Sequence, residues 1–500
     1  MKEDLTKLAT RGVAWIAISQ FSNQGFQFIV TAILARLLFP EDFGIVGMAV
    51  IFTGLARTVN ELGLGAAIVQ RKELDESHRA TSFWASMAMG ILIFVTVLIA
   101  APFVADFFRK EIVAPVMIVS SISFLIGPFG VIHRSLLTRE MSFKKLATTE
   151  IGSTVISGIL AIVMAFTGFG VWSLVCRGIL HDLVTAAFLW AMCPWRPSMH
   201  FSLESFKQLF GFGASVTGAR FVNYLQANVD YMIVGRILGA SSLGLYTLAY
   251  RLVTMPLEKV SGIVTRVAFP AFSNIQDDDP RLRRGYLKEV AYISLVTFPM
   301  LAGLFVVAPE FVRVVFGGKW IPAILSLQIL CIVGARKSIG TTVGSVIYSK
   351  GRPDIDLKWN IFALASLTTV ILVGSRYGIV GVASAIALLG TINFPIMQWI
   401  TNRLISLSFR RYLSALYPAT FGSATMLAIL FVYRMVLHTV FHQNDLFILI
   451  SSVILGVIVY FTALKIAKVK ALDEILQLIS GVLKPRLQSV LSKAKALRWT

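Results

Sequence analysis

Nine basic side chains stand where the chain is otherwise apolar: Arg57, Arg177, Arg220, Arg251, Lys259, Arg266, Arg336, Lys337 and Arg434. Acidic residues in the same kind of stretch are fewer: Glu61, Asp182, Asp230 and Glu258. The guanidinium group is a planar fork that pairs bidentately with phosphate or carboxylate. A charge at the centre of a bilayer costs roughly 2.5–3.5 kcal/mol on insertion scales, so such groups face a partner or a water-filled cavity. A surplus of arginine over carboxylate therefore suits an anionic, phosphate-bearing cargo. The candidate headgroup contacts are Arg57, Arg220, Arg251, Arg177, Arg266 and Arg336. Arg57 and Glu61 are four apart and can pair along one helix face. Arg220 and Arg251 have no acidic neighbour at helical spacing. Arg266, Arg336 and Lys337 lie near span ends, where long side chains snorkel. Glu61, Asp230, Asn360 and Thr391 carry the oxygens expected of a Na⁺ or proton coupling site. The plainer alternative for such polar residues is hydrogen bonding between helices.

The elements that must hold these groups are membrane helices. The 500 residues are 56% hydrophobic and 14% charged, with a mean hydropathy of +0.77, whereas soluble chains carry roughly 25% charged residues. The expected class is an all-α polytopic membrane protein with about fourteen spans. Basic loop residues alternate from side to side. Thirty lie on the side of the N-terminus and seven on the other. This asymmetry puts both termini in the cytoplasm. The net charge of +20 is spread between apolar runs, so nucleic acid is not expected as a partner and membrane lipid is. No cleavable signal segment is expected at the N-terminus.

The stretch Ile33–Ala49 returns as Ile233–Ala249 without a gap. Ile33/Ile233, Arg36/Arg236, Leu38/Leu238, Gly44/Gly244 and Ala49/Ala249 are identical. Each copy reads as two spans joined by a tight hairpin. Six spans separate the copies, so they cross in the same direction: a parallel repeat, a habit of transporters. The division this gives is 1–200 for a first six-helix lobe, 201–404 for a second, 405–468 for two further spans, and 469–500 for a basic amphipathic tail on the inner leaflet. Arg36 and Arg236 end their helices, where a cation favours the dipole.

Other signals are weak or absent. Cys176, Cys193 and Cys331 lack metal-ligand spacing, so no metal is expected. The aspartates 277–279 precede Arg281, Arg283 and Arg284 and read as a solvated loop. His438 and His442 are four apart without a third ligand close in sequence. No phosphate-binding GxxxxGK[ST] loop is present.

Three strings carry a resemblance: ARLLFPEDFGIVGMAVIFTGLARTVNELGLGAAIVQRKELDESH at 35–78, RVAFPAFSNIQDDDPRLRRGYLK at 266–288 and VVFGGKWIPAILSLQILCIVGARKSIG at 314–340. They resemble the polysaccharide transporters of the multidrug/oligosaccharidyl-lipid/polysaccharide (MOP) exporter superfamily, in particular Wzx flippases of the colanic-acid type. The resemblance implies two lobes in a V shape in the bacterial inner membrane. The implied substrate is an undecaprenyl-pyrophosphate-linked oligosaccharide, carried outward through a cationic cavity by alternating access. It also implies no resident cofactor, H⁺ or Na⁺ as coupling ion, and a polymerase and co-polymerase of the same pathway as partners. The cavity arginines of related flippases do not align by an obvious motif, so the role carries over and the positions do not. Two rivals remain: a MATE-like exporter of small molecules, which would want more intramembrane carboxylates, and a membrane-embedded polymerase or glycosyltransferase, which would want a large outside loop. A scaffold without transport would not need nine intramembrane cations.

Overall fold

Hydrocarbon offers no partner to a backbone N–H or C=O, so long apolar runs satisfy their own hydrogen bonds as helices. The structure, a computed structural model, describes residues 20, 22–60, 64–71, 74–439, 443–467 and 469, without the side chains of 59–60, 64, 66, 205–222 and 263. Among the described residues there is helix and no strand. Among the described residues, nine helices are long and apolar enough to cross a membrane, or ten if the pair Val113–Ile126 and Pro128–Arg139, bent by 43°, counts as one. Two of the nine, Asn223–Ser273 and Pro353–Leu404, run to 51 and 52 residues, over twice the roughly 20 that one crossing requires. The first is interrupted at Gly239, with φ 83° and ψ 179°. The second is interrupted at the turn Ser375–Tyr377 and at Gly378, with φ 71°. The expected span at the N-terminus begins outside the described residues, as do the basic tail, Glu61 and His442.

Contacts divide the chain into two compact units. The first comprises Met1–Thr247 with Val315–Trp320 and Ile371–Val382. It holds α1 (22–37), α2 (Pro40–Asn60), α3 (Leu64–Gln70), α4 (Glu76–Phe108), α5 (Val113–Ser121), α6 (Ser123–Ile126), α7 (Pro128–Arg139), α8 (Phe143–Phe166), α9 (Val171–Met192) and the part of α10 (Leu203–Ser273) up to Thr247. One core gathers Ile68, Phe83, Ile132, Leu137 and Leu189 under Trp84, Trp190 and Trp195. The tryptophans are tied at their polar atoms: Trp84 donates to Ser198 O at 2.9 Å and Trp195 to Glu76 at 3.0 Å. Residues 201–247 fall in the second lobe of the repeat division, yet make their contacts in this unit.

The second unit comprises Leu248–Val314, Ile321–Val370 and Ala383–Thr500. It holds the rest of α10, then α11 (Asp279–Phe311), α12 (Ile324–Ser349), most of α13 (Pro353–Gly374), most of α14 (Gly378–Leu404), α15 (Phe409–Thr439) and α16 (Asp445–Ile466). Helix α11 contains Pro299 and Pro309. Each proline removes the hydrogen bond to the carbonyl four residues earlier, freeing Leu295 O and Phe305 O. Both carbonyls are taken up: Tyr460 of α16 donates to Leu295 O at 2.8 Å, and Gln328 of α12 to Phe305 O at 3.0 Å. Among the residues packed there are Val306, Met426, Leu430 and Leu464 from α11, α15 and α16. The cysteines are unpaired; Cys193 and Cys331 are buried and Cys176 half-buried.

Candidate functional site

The two copies of the repeat pack on each other inside the first unit. In the first copy the helix stops after Leu37, and Pro40 restarts it as α2; proline suits a first helical position, where no N–H is needed. Asp42 caps the new helix by accepting from Phe39 N at 2.9 Å. In the second copy Gly239 alone makes the break, in a backbone conformation open to glycine. The repeated glycines then meet the opposite copy. A Cβ on Gly44 would lie 1.7 Å from Ala240 O, and one on Gly244 would lie 1.8 Å from Pro40 O. Pro40 and Ala240 are themselves equivalent positions. A contact in which each copy gives the same pair of positions to the other is the signature of a twofold.

The repeated arginines follow the same exchange. Arg36 Nε donates to Val315 O at 3.0 Å, just past the end of α11. Arg236 donates to Asp106 O at 3.4 Å and to Phe107 O, at the end of α4, with its guanidinium 5.4 Å from the Phe107 ring centroid. The cations sit at helix C-terminal ends, where the dipole favours positive charge, but on helices other than their own. The string FGGKW of the sequence motif completes the joint. Trp320 is fully buried, donates to Ala35 O at 2.8 Å and meets the Phe43 ring edge-on at 5.2 Å. Lys319 Nζ lies 3.4 Å from Arg36 O and Leu37 O, over the Phe39 ring at 3.9 Å. Lys110 pairs with Glu41 at 2.6 Å.

The sequence-derived site residues are spread over both units. In the first, Arg57 of α2 is exposed and lies 3.9 Å from Asp182 of α9. Its expected partner Glu61 lies outside the described residues. Arg177 of α9 is half-buried. Asp230 is buried; its oxygens accept from Tyr246 OH at 2.8 Å and Tyr231 N at 2.9 Å. The Arg220 side chain lies outside the described residues. In the second unit, Arg251 and Arg266 are exposed on α10, and neither has an ion-pair partner among the described residues. Arg336 is half-buried against Gly390, whose missing side chain leaves room for the guanidinium: a Cβ there would sit 2.2 Å from its Cζ. Asn360 donates to Asp356 at 3.1 Å, and Thr391 to Ala387 O of its own helix at 2.8 Å.

Two buried carboxylates were missed from the sequence, both on α11. Glu310 lies in the last turn of α11 and is fully buried. Arg434 donates to its Oε1 at 2.6 Å and His438 at 2.8 Å. Arg434 therefore does not belong with the unneutralised cations. Glu310, His438 and Asp445 bring their ligand atoms within 4.8 Å. Arg434 and the Arg313–Asp445 pair at 3.5 Å already neutralise those carboxylates, so the cluster joins α11, α15 and α16 as an ion-pair network. Glu289 is 4% exposed, and among the described residues its one hydrogen bond comes from Ser345 at 3.3 Å. Its signal was present: it is an acid at the head of the apolar run that begins at Val290.

A family model described as polysaccharide biosynthesis protein matches residues 33–325. The lipopolysaccharide biosynthesis protein WzxC of Escherichia coli K12 is 32% identical over 434 residues, covering 85% of this chain and 87% of that one. The teichuronic acid biosynthesis protein TuaB of Bacillus subtilis 168 is 32% identical over 429 residues, covering 84% and 88%. Among solved structures, the lipid II flippase MurJ in an inward closed conformation superposes with a TM-score of 0.71 at 15% identity, covering 93% of this chain and 100% of that one, a likeness of fold.

Proposed function

Since the chain belongs to the polysaccharide biosynthesis protein family, we propose that it carries lipid-linked oligosaccharides across the bacterial cytoplasmic membrane. It is a multi-pass membrane protein, and we assign it fourteen crossings with both termini in the cytoplasm. The substrate class is an oligosaccharide on a polyprenyl pyrophosphate. Each sugar hydroxyl left unbonded in hydrocarbon costs about 2–7 kcal/mol, while the polyprenyl tail is at home in lipid. The protein therefore needs to shelter the headgroup alone. Arginines held in apolar helices suit its phosphates. The observation that carries this reading is the pair Arg251 and Arg266, exposed on α10 without a described counter-charge. Arg57, Arg177, Arg220 and Arg336 stay as further candidate headgroup contacts, and Asp230, Glu61, Asn360 and Thr391 as candidate coupling residues. The membrane potential, negative inside, favours an outgoing anion by roughly 2.3 kcal/mol per charge per 100 mV. A polymerase and co-polymerase of the same pathway would receive the cargo.

The test is deletion of the gene in its own host, followed by extraction of lipid-linked saccharides. Accumulation of one repeat unit, protected from periplasmic glycosidases until the cells are opened, is the expected result. Unchanged surface polysaccharide with no accumulated intermediate would sink the proposal.

A further inference from the structure

We propose that Glu289 is a proton-binding site of the transport cycle, a role that rests on the transport reading above. Glu289 sits on α11 near the end where Arg281, Arg283, Arg284 and Lys288 gather. Its side chain is buried, 4% exposed. Ser345 of α12 donates to Oε1 at 3.3 Å, and Oε2 is buried with no hydrogen-bond partner. No ion pair reaches the carboxyl among the described residues. An isolated buried carboxylate carries a desolvation cost of several kcal/mol, so this pocket holds the neutral acid.

The surroundings are polar and mostly uncharged. One turn earlier on α11, Tyr286 is fully buried. Its hydroxyl lies 3.0 Å from the Gln398 amide nitrogen of α14 and 3.4 Å from Thr342 of α12, one turn before Ser345. Gln398 in turn donates to Asn402 Oδ1 at 2.8 Å, two residues from the end of α14. From α15, Tyr412 stacks on Tyr286 at 6.3 Å. The titratable groups here, besides Glu289, are thus Tyr286 and Tyr412; α12 and α14 contribute Ser345, Thr342, Gln398 and Asn402. Neighbouring charges are engaged elsewhere: Lys350 with Asp279 at 2.6 Å, Arg283 with Ser406 O at 2.8 Å, and Arg403 over Trp399 at 4.2 Å. A proton needs one acceptor atom, which Oε2 supplies; a metal cation needs several converging oxygens. Binding adds one proton to Oε2 and cancels one negative charge. Release returns that proton to water and leaves a charge the closed pocket does not tolerate, which drives the helices to rearrange.

Two measurements on the full chain test this. Infrared difference spectra across a pH titration in nanodiscs read the carboxyl directly. The wild type should show the carbonyl band of a protonated acid, absent from Glu289→Gln, and Ser345→Ala should shift it. Coincident wild-type and Glu289→Gln spectra overturn the assignment. Glu289→Asp, which keeps the acid, serves where Glu289→Gln does not fold, judged by elution from a sizing column; an unshifted band in both Glu289→Asp and Ser345→Ala overturns it equally. In proteoliposomes loaded with the saccharide lipid from the deletion strain, a gradient of about one pH unit should shift the leaflet ratio roughly tenfold for one coupled proton. Glu289→Gln should lose that shift. A full shift in Glu289→Gln, or a response to a Na⁺ gradient alone, overturns the proposal. Absence of any flipping by wild type counts against the transport reading and leaves the spectroscopic result to decide on Glu289.

Discussion

Gly44→Ala sets two physical effects against each other. In an unhindered helix, alanine is better than glycine by about 1 kcal/mol, and Gly44 lies within α2. If the repeat hairpins did not pack as described, the substitution would raise the melting temperature. In the structure the new Cβ would stand 1.7 Å from Ala240 O. Carbon and oxygen rarely approach below about 3.3 Å, so the hairpins must part by about 1.6 Å. The obstacle is backbone, which has no rotamer to yield. Overpacking of this kind costs about 1–3 kcal/mol, outweighing the propensity gain. The twofold exchange adds a check: Gly244→Ala, with 1.8 Å to Pro40 O, should behave alike. Thermal unfolding of the purified chain by intrinsic fluorescence, with surface polysaccharide as the functional readout, decides the matter. Both variants should melt lower and export less. A rise in melting temperature with normal export for either would refute the reciprocal contact.

Three further outcomes follow. Trp320→Ala should destabilise by about 3–5 kcal/mol, with Trp320→Phe falling between it and wild type, since Phe keeps the packing on Phe43 and loses the bond to Ala35 O; denaturation of the purified chain reads both. Glu310→Gln should cost about 3–5 kcal/mol by stranding Arg434 and His438, whereas the paired change Glu310→Leu with Arg434→Met should recover most of it, as expected when a buried ion pair is replaced whole. Arg251→Ala and Arg266→Ala should leave the amount of protein unchanged and lower export, with Arg→Lys retaining part of it; normal export in both removes these residues from the headgroup contacts.

Local features were the legible ones. The duplicated stretch, the glycine and proline breaks and the apolar runs all act within a few residues, and they gave the helices and the hairpins. The cap on Arg36 was not legible, because its acceptor is 279 residues away. The pairing of Glu310 with Arg434 spans 124 residues and depends on which helices adjoin. The dividing line near residue 200 was read from the repeat. The contacts carry the first unit to Thr247, where Gly244 meets Pro40 of the earlier copy and Arg236 meets the end of α4. The FGGKW string was recognised as distinctive, but its task, covering the end of α1, depends on packing that no local pattern encodes.

The exchange of caps also sets an order on biosynthesis. The end of α4 waits for Arg236, and the end of α1 waits for Lys319 and Trp320. A nascent chain released before residue 320 would enter the bilayer with its earliest helix ends unsealed. The joint is thus completed only after nearly two-thirds of the protein has been made.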